Sequence, residues 1–453
     1  MKIIIAGAGK IGYAAARLLV EEGNDVTIID NNATVISGFA DSLDAICYVG
    51  NATNSETLEL AGARDADILF AATETDEVNM ISCISAKKLG TKHVIARVRD
   101  PEYLNQEDFL RNTLELSMTI NPEYECAKEI ARILRFPGAS RIDTFAGSST
   151  EITEMRVRGE SALSGMKLKE IPARFGAKVL ISVVERGDEA IIPNGEFCLQ
   201  EGDQLSVTGD SKELKRFFVA TGSYKRPVRK AMIMGGSRMA VYLANILEAD
   251  GISTTIVERD YNHCQELIDQ LPMVSIINGD ATKSDVLLEE GVSSSDAFIA
   301  LTGDDGDNII TSMYVSRLGV NKVITKINRT VFAGILENSE LDTVVSPNDV
   351  VAQQVARFIR AMGASQGESM ETLYRLADGK VEALEFIAAE AASYLETPLK
   401  QLKMRRGIIL GAIIRGRKSI VPNGETVISP QDHMIVIAPC GAVRNISDIF
   451  EDD

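Results

Sequence analysis

The sequence predicts an α/β fold of two tandem units, each a doubly wound parallel sheet followed by a small α+β lobe. Three observations carry this expectation. Gly7-Ala8-Gly9-Lys10-Ile11-Gly12 stands between the apolar run Ile3-Ile4-Ile5 and a helical pattern, giving strand, glycine turn and helix in that order. Strand-like runs then alternate with helical stretches, as in a parallel sheet covered by helices. Finally, the same landmarks return in the same order 228 or 229 positions later.

Residues 2–5 form the first expected strand. Gly7 permits the tight turn, Gly9 lets the backbone approach a pyrophosphate, and Gly12 lets helix and strand pack closely. The start of the helix offers unpaired N–H groups and the positive end of its dipole to an anion. Gly23 closes this helix. Residues 25–29 make the second strand, which ends at Asp30. A carboxylate there accepts hydrogen bonds from an adenosine ribose and repels a 2′-phosphate, which favours NAD over NADP. Residues 45–49 are the third strand, followed by Gly50-Asn51-Ala52-Thr53. Residues 67–72 are the fourth, ending at Thr73, with Glu77 and Asn79 expected in the turn after it. Residues 93–96 are the fifth, ending at Arg97. Ligands of doubly wound sheets lie beyond the carboxyl ends of the strands. The glycine turn, Asp30, Asn51, Thr73 and Arg97 all fall on that edge, so the first 139 residues read as a Rossmann-like nucleotide-binding lobe.

A connecting helix is expected over 123–136, with Cys126, Ile130, Ile133 and Leu134 as its apolar stripe. Gly138-Ala139-Ser140 and Gly147-Ser148-Ser149-Thr150 then break the pattern. A small α+β lobe follows, with strands at 179–184 and 204–208 and a hairpin turn expected at Pro193-Asn194-Gly195.

The chain then begins again. Residues 231–234 are a strand, and Gly235-Gly236-Ser237-Arg238-Met239-Ala240 occupies the place of the first glycine turn. Glu258 corresponds to Asp30, Gly279-Asp280-Ala281-Thr282 to Gly50-Asn51-Ala52-Thr53, and Thr302 and Asn308 to Thr73 and Asn79. Lys326 corresponds to Arg97, and Pro422-Asn423-Gly424 to Pro193-Asn194-Gly195. Four domains are expected: 1–139, 140–225, 226–364 and 365–453. Ser237 and Ala240 replace two fingerprint glycines and add bulk, while Arg238 and Lys326 remain as phosphate ligands. Ligand binding in this copy, or a pseudo-site kept for packing, are both open at this point.

The chain has 453 residues with 45% apolar content, which is enough to fill several cores. A net charge of −18, five per cent aromatics and no Trp argue against nucleic acid. Six scattered Cys without a C-x-x-C pair read as reduced thiols, and three separated His give no metal-site spacing. No apolar run reaches the ~18–20 residues that span a bilayer, so a soluble, cytoplasmic protein is expected.

The catalytic half of a dinucleotide enzyme is missing. Tyr124 and Lys128 form a Y-x-x-x-K pair, but on the connecting helix, where it reads as two neighbours on one face. His93 opens a strand. Asp304-Asp305-Gly306-Asp307 reads as an acidic helix start rather than a cation loop. Binding without catalytic groups suggests a sensor.

In the order and content of these motifs, together with Glu201-Gly202-Asp203 in the small lobe and the tandem repeat, the whole chain resembles the Trk potassium-uptake regulatory (TrkA) family. Its members carry two RCK units, each an N-lobe and a C-lobe. The resemblance implies a non-enzymatic regulator docked on the cytosolic face of the membrane. Its partner would be a membrane-embedded potassium transporter or channel subunit, and it would assemble as a homo-oligomeric, tetrameric ring. It implies NAD(H) as ligand, with ATP or ADP as further candidates. Carried over, Gly7, Ala8, Gly9, Lys10, Ile11 and Gly12 would cradle phosphates. Asp30 would hold the ribose, Asn51, Ala52, Thr73 and Glu74 would line the pocket, and Arg97 would meet phosphates from the far side. The matching set is Gly235, Gly236, Ser237, Arg238, Met239, Glu258, Asp280, Thr302 and Lys326. The competing readings are an NAD-dependent oxidoreductase and a regulator of another cation transporter, such as potassium efflux.

Overall fold

The structure, a computed structural model, describes residues 1–104, 106–135, 141–145, 150–157, 159, 161–222, 227–328, 341, 343–364, 370–416, 418–443 and 445–451. Two expected lobe boundaries, at 139/140 and 225/226, lie outside the described residues, as does residue 365 at the third.

The first N-lobe runs β1 (Lys2–Ala6), α1 (Lys10–Glu21), β2 (Asp25–Asp30), α2 (Ala33–Ala40), β3 (Ile46–Val49), α3 (Ser55–Leu60), β4 (Ile68–Ala71), α4 (Asp76–Leu89), β5 (His93–Arg97), α5 (Pro101–Leu104), α6 (Glu107–Thr113), β6 (Met118–Ile120) and α7 (Pro122–Arg135). Its parallel sheet has the order β3-β2-β1-β4-β5-β6. The order reverses between β1 and β4, which opens the crevice where such folds bind ligands. Glu77 and Asn79 are not in a turn, as expected, but in the first turn of α4. Thr75 caps that helix by accepting from Val78 N, which starts it earlier.

The first C-lobe contains β7 (Arg141–Thr144), β8 (Thr150–Arg156), α8 (Ile171–Phe175), β9 (Val179–Arg186), β10 (Glu189–Ile191), β11 (Gln204–Asp210) and α9 (Ser211–Ala220). Its antiparallel sheet has the order β10-β9-β11-β8-β7. The hairpin turn is Gly187-Asp188, between the paired residues Arg186 and Glu189, not Pro193-Asn194-Gly195. Gly187 takes the positive φ (61°) that a two-residue hairpin demands. The Pro193 segment turns after β10 instead, closed by Phe197 N donating to Asn194 O.

The second N-lobe repeats the first: β12 (Lys230–Met234), α10 (Arg238–Ala249), β13 (Ser253–Glu258), α11 (Tyr261–Gln270), β14 (Ser275–Asn278), α12 (Ser284–Glu289), β15 (Ala297–Ala300), α13 (Asp305–Arg317), β16 (Lys322–Lys326), β17 (Thr343–Val345) and α14 (Pro347–Ala364). The strand order is β14-β13-β12-β15-β16-β17. The second C-lobe has β18 (Met370–Leu376), β19 (Val381–Ile387), β20 (Ile409–Arg415), β21 (Lys418–Ile420) and β22 (His433–Pro439), ordered β18-β19-β22-β20-β21.

These lobes form two compact bodies, and each joins like with like. Residues 1–131 and 228–359 bring the N-lobes together, and residues 132–227 and 360–453 the C-lobes. In the first body, one face of the β1–β6 sheet is covered by its own helices, with Leu58, Met80, Cys83 and Ala86 against Ile4, Leu69 and Val94. The opposite face, Ile3, Ile5, Phe70 and Ile95, shares its core with α1 and with Val351, Ala352, Val355, Ala356 and Ile359 of α14. The helix from the second copy therefore completes the core of the first. Reciprocally, α7 meets α10: Asn121 Nδ2 donates to the Tyr242 hydroxyl at 3.3 Å, and Tyr124 packs edge-on against Tyr242 at 5.4 Å. Gln354 of α14 donates to Glu125 of α7.

In the second body the C-lobe sheets share a layer containing Ile152, Val183, Ala383, Ala412, Ile414, Ile435 and Ile437. Phe145 meets Tyr374 edge-to-face at 4.9 Å. Each C-lobe also holds a two-pronged ion pair. Arg186 donates twice to Asp203 at 2.8 Å, and the 1%-exposed Asp203 also accepts from Gln200 N. Arg415 and Asp432 repeat this, with Ser429 N as the third donor. Asp203→Ala strands the backbone donor and an Arg that keeps partial contact with solvent. The expected loss is about 2 kcal/mol of unfolding free energy by urea denaturation, below the cost of a fully buried pair. Among the described residues no helix is long and apolar enough to cross a membrane.

Candidate functional site

The crevice of the first N-lobe is built from backbone that only glycine permits. Gly7 has φ +106°, and a Cβ there would stand 2.7 Å from Ala72 C and O. A Cβ on Gly12 would stand 1.9 Å from Gly7 O, so the helix lies directly on the turn. Gly9 differs. It caps α1 with no side-chain hydrogen bond, and a Cβ on it would meet nothing within 4 Å. The start of α1 therefore faces open space with its N–H groups uncapped, which suits an oxyanion.

Asp30 is fixed beside this opening. One carboxylate oxygen accepts from Ala8 N at 2.7 Å and the other from Asn32 N at 2.8 Å. Each oxygen keeps a lone pair for a hydroxyl. Asn51 makes a local turn, accepting from Thr53 N and Oγ1 at 3.0 and 2.9 Å, with Ala52 buried beneath it. Thr73 is tied to the fully buried Asn79, whose Oδ1 accepts from Thr73 N and Oγ1 at 2.7 Å. The Asn79 amide in turn donates to Arg97 O at 2.9 Å. Glu74 is exposed at the rim, as are Lys10 and, more partially, Ile11. Arg97 donates to Thr73 O, and its Nε is buried with no partner among the described residues. Burial, then the neighbouring Arg99, hold its pKa below the ordinary arginine value. An uncapped helix, open space over Gly9, a preset acid and an unpaired guanidinium nitrogen suit a phosphorylated adenosine.

The corresponding residues of the second N-lobe are gathered the same way but engaged differently. Gly235 again needs a positive φ (92°), and Glu258 accepts from Gly236 N at 2.7 Å and Asp260 N at 2.8 Å. Thr302 is clamped by Asn308 as Thr73 is by Asn79. Asp280 repeats the Asn51 turn with Thr282. Ser237, however, caps α10 itself, accepting from Ala240 N at 3.4 Å. Met239 is buried and Arg238 exposed. Lys326 is 8% exposed and its ammonium donates to Leu301 O at 3.3 Å; burial lowers its pKa.

Sequence reasoning missed three groups. Asp76 accepts from Arg99 N and Asp100 N at 2.8 Å, which fixes the turn after β5. Its counterpart 229 residues later, Asp305, accepts from Asn328 N and Nδ2 at 2.9 Å, so the repeat itself carried the signal. Glu123, at the start of α7, pairs with Arg99. His263 lies across the second glycine turn, and nothing local marked it. Tyr124 and Lys128 simply stack, with the ammonium 4.9 Å from the ring centre. In the acidic knot, Asp304 caps α13 by accepting from Asp307 N at 3.0 Å.

Comparison with known proteins agrees with this architecture. The TrkA-N domain model matches residues 3–122 and 231–347, and the TrkA-C domain model matches 152–220 and 384–451. The Trk system potassium uptake protein TrkA homolog of Archaeoglobus fulgidus is 31% identical over 451 residues, covering 99% of this chain and 100% of that protein. The Trk system potassium uptake protein TrkA of Haemophilus influenzae is 30% identical over 445 residues, covering 96% and 95%. Among solved structures, the GsuK channel bound to NAD superposes with a TM-score of 0.61 at 18% identity, over 96% of this chain and 76% of that one. With both domain models matching twice and the relatives aligned end to end, this chain belongs to the Trk system potassium uptake protein (TrkA) family.

Proposed function

We propose that this chain is the nucleotide-sensing regulatory subunit of a Trk-type potassium uptake system, a binding protein rather than an enzyme. The observation that carries it is the first crevice, where an uncapped helix start faces open space beside a carboxylate preset by two backbone N–H groups. The family names potassium uptake, and a channel of similar fold is described as bound to NAD. In this chain the start of α1, from Gly7 to Gly12, would take the pyrophosphate. Asp30 would take the adenosine ribose, Asn51, Ala52, Thr73 and Glu74 would line the pocket, and Arg97 would approach from β5. The ligand is NAD or NADH; ATP and ADP share the adenosine ribose and compete for the same acid. The subunit acts on the cytosolic face of the membrane, as a homo-oligomeric ring of four chains, on a membrane-embedded potassium transporter. Its lobes divide near 139, 225 and 364.

The chain's own groups supply binding and its relay. Occupancy of the crevice is felt at Arg97, whose neighbour Arg99 is paired with Glu123 on α7. That helix touches the second N-lobe through Tyr242. A ligand shifts such an arrangement only by binding one state better than another.

The test is calorimetric titration of the full chain with NADH, NAD, ATP and ADP, alongside potassium flux in vesicles holding the membrane partner. Binding at micromolar concentrations without consumption of NADH, and flux that responds to the same ligand, are expected. Steady turnover of NADH would make the protein an oxidoreductase instead.

A further inference from the structure

We propose that Ser237 and His263 close the second N-lobe to a dinucleotide from within, so that each chain binds one dinucleotide, in the first crevice. This inference rests on the nucleotide-binding reading of the first site.

The two crevices are alike in what holds the acid. Asp30 and Glu258 each accept from the residue after the first glycine and from the residue two positions after themselves. They differ wherever a ligand would have to sit. At the phosphate end, α1 begins on Gly9 with no cap and no neighbour. Helix α10 begins on Ser237, whose hydroxyl already accepts from Ala240 N. The side chain thus satisfies a donor that a phosphate oxygen would need, and it stands where the pyrophosphate must approach the backbone. Ala240 adds a second obstacle. In the first lobe a Cβ at Gly12 would lie 1.9 Å from Gly7 O, so α10, which carries Ala240 at the matching position, cannot sit as close to its turn.

At the ribose end, the His263 ring reaches from α11 to the glycine turn. Its Nε2 is 2.7 Å from Gly236 O, and its Nδ1 is 3.0 Å from Glu266 Oε2. A carbonyl and a carboxylate only accept, so the protonated ring is held from both sides, and the Glu266 carboxylate, then Gly236 O, raise its pKa. The ring also lies beside the acid. A Cβ built on Gly236 would meet Glu258 Oε2 at 3.2 Å and His263 Cδ2 at 3.3 Å. The imidazole and Leu267 therefore crowd the turn residue that holds this carboxylate, where the first lobe has the methyl group of Ala8. Helix α2 of the first lobe has Val35, which carries no hydrogen-bonding group, at the position matching His263: each follows its helix's capping residue, Asn32 or Asp260, by three. On the far side, Lys326 is 8% exposed and donates to Leu301 O, much as Arg97 donates to Thr73 O while also keeping a free Nε. Ser237 at the phosphate end and His263 at the glycine turn are thus polar groups of the protein where the first lobe has Gly9 and Val35.

The experiment is NADH calorimetry on the full chain and on a triple variant, Ser237→Gly, Ala240→Gly and His263→Ala, with circular dichroism and thermal melting as the check on folding. The expected stoichiometry is one per chain in the natural sequence and two in the variant. Two sites in the natural sequence would overturn the inference, and so would a folded variant that still binds one. Should the natural sequence bind none while the variant binds one, the closure stands and the reading of the first crevice fails. No binding by either protein would overturn both. If the variant does not fold, the stoichiometry of the natural chain decides, with one supporting the closure and two refuting it.

Discussion

Asp30→Ala is expected to weaken NADH binding at the first crevice by about a hundredfold, close to 3 kcal/mol. Each oxygen of this carboxylate keeps a lone pair for a ribose hydroxyl, and hydrogen bonds to a charged acceptor contribute about 1.5–3 kcal/mol each. The loss has a second source. Ala8 N and Asn32 N both donate to Asp30, so the substitution releases the glycine turn as well as the ribose. Asp30→Asn separates these contributions. It keeps an oxygen acceptor but removes the charge that repels a 2′-phosphate, so the preference for NADH over NADPH should shrink along with affinity. Titration of the three proteins with both cofactors checks this, and unchanged NADH affinity in Asp30→Ala would remove the acid from the site. In the potassium flux assay the same variant should no longer respond to nucleotide.

Much of this site was legible because its chemistry is local. Strand, glycine turn and helix follow one another within a dozen residues, and each further landmark stands at a strand end. The observed strands β1 to β5 end at or just before Gly7, Asp30, Gly50, Thr73 and Arg97. The tandem repeat was equally plain, because the strand order of each lobe recurs. What sequence could not show depends on contacts far apart in the chain. Strand β6 has three residues, too few for alternation to register. Residues such as His263 acquire meaning only when α11 folds back onto a turn 27 positions earlier. The hairpin of the C-lobe was misplaced because Pro-Asn-Gly is a strong turn signal, yet the paired strands close two residues after Arg186. The apolar stripe over 123–136 was visible, that of the corresponding helix α14 was not singled out, and nothing in a stripe says which sheet it covers.

That last ambiguity sets the second large effect. Val355 stands in the second unit of the chain, yet it is fully buried with Ile3, Ile5, Ala15 and Phe70, in the core beneath the first crevice. Val355→Asp is therefore expected to damage the first site rather than the second. An unpaired carboxylate in that layer either stays ionised at a cost of several kcal/mol or takes a proton. In both cases it also gives up the packing of the removed methyl groups. We expect a loss of more than about 4 kcal/mol in urea denaturation, among the largest effects of a single substitution. β1 carries the glycine turn at its end and shares this core. Its amides should therefore lose protection from hydrogen exchange, and NADH affinity should fall even though Val355 lies 325 positions from Asp30. Val355→Ala provides the milder step, with the same direction and about 2 kcal/mol. If β1 kept its protection and the loss were confined to β12 and β13, α14 would belong to the core of its own lobe. The exchange of connecting helices would then not be what joins the two N-lobes. If the first crevice is lost, nucleotide binding in one lobe is physically dependent on a helix of the other. That dependence gives a sensor in the first unit a route to the second without any contact between the ligand and the second crevice.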